Sequence, residues 1–102
     1  MGPIVKIHGE TGRLIVLGQF DVNLYRAFRG SSQQLLDNAT VREILIDLEQ
    51  VHSMDSSAIG MMLLLQERAS LSDKSMYLIN CRDAVRQTLA GSGAGRHFKF
   101  RH

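Results

Sequence analysis

Three features of the sequence predict an α/β fold, a layered domain with parallel strand pairing in its later part. Residues 44–65 begin as a short apolar run interrupted by Asp47 and Glu49, pass through a polar turn, and continue as apolar residues at helical spacing. That is the pattern of a buried strand feeding a packed helix. Strand-like and helix-like stretches follow one another in the order β-β-α-β-α-β-α, with a short alternating stretch at the end. The segment from Val41 to Leu48 is almost continuously apolar, which predicts a central strand with both faces covered.

Ile4, Val5 and Ile7 form the first strand, closed by the glycine-rich turn from His8 to Gly12. Arg13 to Gly18, aliphatic and β-branched, makes a second strand, and the two suggest a hairpin. Asp21 is a good cap for a first helix from about Val22 to Asn38, with Leu24, Phe28, Leu35 and Leu36 near helical spacing and Gly30-Ser31-Ser32 as a point of interruption. After the central strand a second helix runs from Ser56 to about Leu71. Asp55, Ser56 and Ser57 stand at its start, and the oxygen of any of the three can accept a bond from the unpaired N–H groups of the first turn. At about 100° per residue, Ala58, Met62, Leu65 and Ala69 share a narrow sector that should pack on the sheet, with Ile59 and Gln66 beside it. Gly60 and Leu64 fall on the far side near Ser57 and Arg68, and Met61 lies between the two faces. Ser72 to Ser75 is a turn into a strand from Met76 to Asn80. A short helix from Asp83 to Leu89 follows, Gly91 to Gly95 breaks it, and Phe98-Lys99-Phe100 alternates as a last strand does.

A length of 102 residues suits one domain, residues 1–102, with a single core. Apolar content of 44% and charged content of 22% are ordinary for a globular chain. The net charge of +2 is mild, and the basic residues are scattered apart from Arg96 to His102, read as a solvated tail or last strand. No basic stripe marks a nucleic-acid partner. The longest apolar run, Ala58 to Leu65 counting Gly60, falls far short of the roughly 20 residues of a membrane span. Lys6, His8 and Glu10 break any signal-peptide pattern near the amino terminus. The expectation is a cytoplasmic chain without membrane insertion. Cys81 is alone, so it makes no internal disulfide or thiolate metal cluster and reads as a small buried hydrophobe.

The run Met54-Asp55-Ser56-Ser57-Ala58-Ile59-Gly60, preceded by a strand with Ile46-Asp47-Leu48 and followed by Met61-Met62-Leu63-Leu64-Leu65, resembles the signature of STAS domains, the anti-sigma factor antagonist family. The resemblance covers about Leu14 to Phe100. It includes Gly18-Gln19-Phe20-Asp21 before the first helix, and Leu78-Ile79-Asn80-Cys81 running into Val85-Arg86 and Leu89. The chain departs from the family at Gly93-Ala94-Gly95-Arg96-His97, where apolar residues usually lead the last strand. The resemblance implies a STAS-type mixed sheet of four to five strands with about three helices, and no cofactor. It also implies that Ser56, the first serine after the aspartate, is phosphorylated by a partner kinase. The unphosphorylated form would sequester an anti-sigma factor, often itself the serine kinase, and a serine phosphatase would reset it. Asp55, Ser57, Gly60, Met61 and Leu64 are the expected partner surface, joined by Asp21, whose matching acidic position in the family faces the nucleotide-binding partner. STAS domains also serve in membrane-transport complexes, so the alternative is a subunit of such a complex that acts without phosphorylation.

Other chemistry has weaker support. His52, Asp55 and Ser56 or Ser57 supply the residue types of a nucleophilic triad, but triad members converge from different elements, and neighbours on one turn rarely do. Gly91 to Gly95 lacks the Gly-Lys-Ser/Thr ending of a phosphate loop and leads into no helix. The histidines at 8, 52, 97 and 102 show no ligand spacing. An enzyme is not expected.

Overall fold

A computed structural model describes residues 2–101. The chain opens with β1 (Ile4–His8) and β2 (Thr11–Ile15), followed by β3 (Gly18–Phe20). A 3-10 turn at Val22–Leu24 runs into α1 (Tyr25–Asp37), and β4 (Glu43–Asp47), β5 (Val51–Met54) and α2 (Ser56–Leu71) come next. The last part is β6 (Ser75–Ile79), α3 (Asp83–Gly91), a 3-10 turn at Gly95–His97 and β7 (Phe100–Arg101). Five strands form a mixed sheet in the order β1-β2-β4-β6-β7, and β3 and β5 form a separate pair. The β1–β2 hairpin is antiparallel, while β4 pairs in parallel with both β2 and β6.

The expected hairpin, the central place of β4 and the bounds of α2 are therefore as the sequence pattern indicates. The first helix is not interrupted. Ser32 lies within α1 and its hydroxyl donates to the Phe28 carbonyl one turn back at 2.7 Å, so the small polar residues cost the helix no backbone bond. Gly12 allows α1 to approach the sheet closely, since a Cβ there would sit 2.5 Å from a Leu35 methyl. Gly91 to Gly95 does end α3, and Gly93 takes the positive φ of 76° that favours glycine at a helix stop.

The core lies on one side of the main sheet. Leu14, Ile44, Ile46, Met76 and Leu78 pack in one cluster with Phe28, Leu35, Met62, Leu65, Val85 and Leu89 of the three helices. The expectation that both faces of the central strand are covered is wrong. The opposite face carries Arg13, Glu43, Leu45 and Tyr77, with Ile15, Asp47 and Ile79 buried at one end of it, and these side chains stand in for a second helical layer. Arg101 stacks on the Tyr77 ring there, 3.8 Å from its centroid, and pairs with Glu43. A last strand is thus present as β7, two residues long and sharing only Phe100 with the expected Phe98-Lys99-Phe100, and the basic tail is partly engaged by the sheet. His102 lies outside the described residues. Cys81 is half-buried, not buried as expected, and burial pushes its thiol pKa up.

Lys74 is an unforeseen buried cation. Its ammonium donates to the carbonyls of Asn38, at 2.8 Å, and Val41, at 2.5 Å, which closes the end of α1 and ties it to the start of β6. A cation at a helix carboxyl end also suits the helix dipole.

Candidate functional site

The β3–β5 pair positions the site. Phe20 stands opposite Met54, and the Asp55 N–H donates to the Phe20 carbonyl at 3.3 Å, so the first turns of α1 and α2 begin side by side. Phe20 is fully buried against the Phe28 ring, 5.1 Å between centroids, which anchors this corner in the core. Residues 51–54 were expected as part of a polar turn. His52 and Ser53 are exposed on a short strand instead, because only its end residues Val51 and Met54 pack against the core and only three positions pair with β3.

An aspartate caps the 3-10 turn that leads into α1, and another caps α2. The Asp21 carboxylate accepts from the Asn23 N–H at 2.9 Å, and the Asp55 carboxylate accepts from the Ala58 N–H at 3.1 Å. Of the three residues able to cap α2, Asp55 does so. Ser56 is therefore the first residue of the helix, exposed, and its hydroxyl has no hydrogen bond among the described residues. Ser57 beside it is half-buried.

The faces of α2 fall largely as projected. Ala58, Met62, Leu65 and Ala69 are buried, while Ser56, Gly60 and Leu64 succeed one another along the outside, with Leu64 39% exposed. Met61 is the correction. It is only 7% exposed and belongs to the core cluster, because α1 packs against this side of α2 and covers the position expected between the faces. Two surface residues went unrecognised: Val22, 62% exposed, and Tyr25, 41% exposed, lie on the turn after Asp21. Their signal is spacing, since residues three apart share a face. Leu24 and Phe28, one turn apart, take the inward side.

Behind the site lies a buried carboxylate that the sequence reading left as part of a strand. Asp47, at the end of β4, is 3% exposed. One oxygen accepts from the Arg13 guanidinium at 2.7 and 3.0 Å, and the other from the Glu49 N–H at 3.0 Å and the Asn80 amide at 3.1 Å. Burial alone would raise its pKa, but the Glu49 N–H, the Asn80 amide and Arg13 together hold it below the usual carboxylate value. Asn80 reaches it from a left-handed backbone, φ 57°, which asparagine tolerates better than most residues. The Arg82 side chain donates to the Glu49 carbonyl, so the turn between β4 and β5 is held from both sides.

No hydrogen bond joins the side chains of His52, Asp55, Ser56 and Ser57 among the described residues, and the Asp55 carboxylate is occupied by the helix cap. Those residues do not assemble a triad. Among the described residues no three His, Cys, Asp or Glu side chains gather as metal ligands, and no helix is long and apolar enough to cross a membrane.

The family described as Mlab, STAS domain, matches residues 5–99. A STAS-domain containing protein of Pseudomonas aeruginosa (strain UCBPP-PA14) is 33% identical over 92 residues, which cover 90% of this chain and 89% of that protein. Among solved structures, the anti-sigma factor antagonist SpoIIAA in its unphosphorylated form superposes with a TM-score of 0.79 at 20% identity, over 99% of this chain and 89% of that one. The phosphorylated form of this Bacillus cell fate determinant superposes at 0.73, with the same 20% identity, over 99% of this chain and 92% of that one. A candidate anti-sigma factor antagonist of Thermotoga maritima gives a TM-score of 0.84 at 19% identity, over 96% of this chain and 84% of that one. At these identities the structural likeness speaks for the fold.

Proposed function

The chain belongs to the STAS domain family, and from that premise we propose that it is an anti-sigma factor antagonist whose hold on its partner is set by phosphorylation of Ser56. One observation carries the reading: Asp55 caps α2, which leaves the adjacent Ser56 hydroxyl exposed and free of structural duty. A serine that capped the helix would lose the cap on modification. This one is open to a kinase at no cost to the fold.

The mechanism follows from charge. Phosphate adds about −1.5 to −2 units and three acceptor oxygens. The first-turn N–H groups and the helix dipole favour an anion at this end, while the neighbouring Asp55 carboxylate opposes it. The fold should change little. A partner surface shaped for a neutral serine would lose a contact and gain an unpaired charge, and about 2–3 kcal/mol, roughly 30- to 150-fold in affinity, is the scale of typical coupled equilibria. The free form holds the anti-sigma factor, often itself the serine kinase in this family, and a serine phosphatase restores it.

In this reading the module is one domain, residues 1–102, that works in the cytoplasm without catalysis, cofactor, nucleic acid or membrane insertion. Asp21, Asp55, Ser57, Gly60 and Leu64 form the contact surface around Ser56, with Val22 and Tyr25 added by the fold. Met61 contributes from beneath, as packing.

The test combines site-resolved mass spectrometry of protein from its native cell with calorimetric titration of Ser56→Ala and Ser56→Asp against the co-purified partner. Phosphate on Ser56, with tight binding by the alanine variant and weak binding by the aspartate variant, is expected. Aspartate carries about half the phosphate's charge, so its effect is partial. Equal affinities of the two folded variants, or phosphate confined to Ser57, refute the switch. Recovery of transporter subunits instead points to the membrane-transport alternative.

A further inference from the structure

We propose that the crevice between α1 and α2 receives an amphipathic helix of the partner protein, one that carries acidic side chains beside its apolar face. The proposal rests on the reading of this end of the molecule as a protein-binding surface, and names the chemistry that the surface selects. Tyr25 and Phe28 from α1 and Met61 and Leu64 from α2 form the apolar lining, with Arg29 and Arg68 among the polar groups beside them. The lining contains two guanidinium groups and no carboxylate. Among the described residues the ion pairs are Arg13 with Asp47 and Arg101 with Glu43, so neither Arg29 nor Arg68 has a carboxylate partner within the chain. The Arg29 side chain donates only a long bond, 3.4 Å, to the Tyr25 hydroxyl.

The shape selects the kind of occupant. The crevice encloses about 20 Å³, room for little more than one water, so it is no pocket for a small molecule. It runs between two packed helices and offers no open strand edge, which leaves recognition to side chains set on a helix face. An apolar side chain over Tyr25 and Leu64, flanked by carboxylates that meet Arg29 and Arg68, satisfies both the apolar lining and the unpaired cations.

The Arg68 end of this contact is separable from the serine. Arg68 lies twelve positions beyond Ser56 on α2, about 18 Å along the axis at the usual rise. That exceeds two screening lengths of about 8 Å at physiological salt, so a charge at Ser56 has little direct influence on a carboxylate beside Arg68.

Two synthetic peptides of about 15 residues, long enough to form a helix, supply the probe: one with leucines on one face flanked by glutamates, the other identical except for lysines in place of glutamates. Fluorescence anisotropy with the full chain should show the glutamate peptide binding at least about tenfold more tightly, with the margin shrinking at high salt. Arg29→Glu combined with Arg68→Glu should reverse the preference, and the pair Arg29→Gln with Arg68→Gln should abolish it without adding charge, with thermal melts confirming that both variants fold. Ser56→Asp should leave the preference for the glutamate peptide within about twofold, as expected for a charge this far from Arg68. Equal binding of the two peptides, binding of neither, or a preference that survives both arginine pairs overturns the proposal. Failure of Ser56→Asp to affect the natural partner, with the peptide preference intact, instead removes the switch and keeps the crevice.

Discussion

Replacing Asp47 with asparagine tests whether the buried cluster behind the site is what holds the β4–β5 turn in place. The carboxylate accepts four hydrogen bonds, two from Arg13, one from the Glu49 N–H and one from Asn80. Asparagine keeps one acceptor oxygen but points an amide N–H₂ at either the guanidinium or the Asn80 amide, so at least one donor pair is left face to face. Hydrogen bonds to charged groups contribute about 1.5–3 kcal/mol each. The Arg13 side chain is 43% exposed and can turn to water, which discounts its share. A loss of about 2–3 kcal/mol results, close to 10–20 °C in Tm for a domain of this size. The pH dependence gives a second readout. Asp47 has a folded pKa below its unfolded value, so the unfolded chain binds the proton more readily, and the contribution is fully present above the unfolded pKa, about 3.9. It is lost as the pH falls through the lower, folded value. Thermal melts of wild type and Asp47→Asn should therefore converge in acid and separate toward neutral pH. Curves that differ by less than about 1 °C at neutral pH would refute the structural role of the cluster.

Three further outcomes are expected. Leu64→Glu should change stability by no more than about 0.5 kcal/mol while weakening partner binding, whereas Ala58→Glu should collapse the domain; unfolding of the Leu64 variant in a denaturant titration would reverse the assignment of faces. Gly60→Ala should raise stability by about 0.8–1 kcal/mol, since a Cβ there meets nothing within 4 Å, and a lower melting temperature would contradict that geometry. Asp55→Ala should cost about 0.5–2 kcal/mol and Asp55→Asn less, because asparagine keeps the capping oxygen; equal losses in melts of the two variants would place the cap elsewhere.

The elements with strong periodicity were legible from the sequence. Residues 43–47 and 56–71 form β4 and α2, and the inward residues Ala58, Met62, Leu65 and Ala69 are those the helical projection selects. The short β3–β5 pair was not legible. Gln19, His52 and Ser53 carry no strand signal because this pair lies at the rim, and its hydrogen bonds depend on contacts between residues far apart in sequence. The single covered face of the sheet was missed for a related reason. Ile44 and Ile46 face the helices, while Leu45 faces the open side, half-buried among polar neighbours, and one leucine is enough to make the run look buried on both faces. At the site, capping chemistry narrowed the choice to Asp55, Ser56 and Ser57, but backbone geometry chose among them. Met61 shows the limit of a helical projection, which cannot say where a second helix will pack.

Asp21 begins the 3-10 turn ahead of α1 and Asp55 begins α2, and the β3–β5 pair sets these two starts together, so Ser56 stands at a corner that already holds two carboxylates. Under the proposed switch, one phosphate added at Ser56 would be nearly silent in the free protein and decisive in a complex. In water a pair of like charges about 4 Å apart repels by about 1 kcal/mol, a cost offset by the N–H groups and dipole at the start of α2. A partner that covers the corner removes that water. At the effective dielectric typical of a protein surface the same repulsion grows to about 4 kcal/mol, and any partner group matched to the aspartates meets a charge it was not shaped for. In the proposed switch, the difference between the two environments, not the phosphate charge alone, would set the size of the effect. A partner that leaves the corner wet would therefore scarcely sense phosphorylation, whatever its affinity.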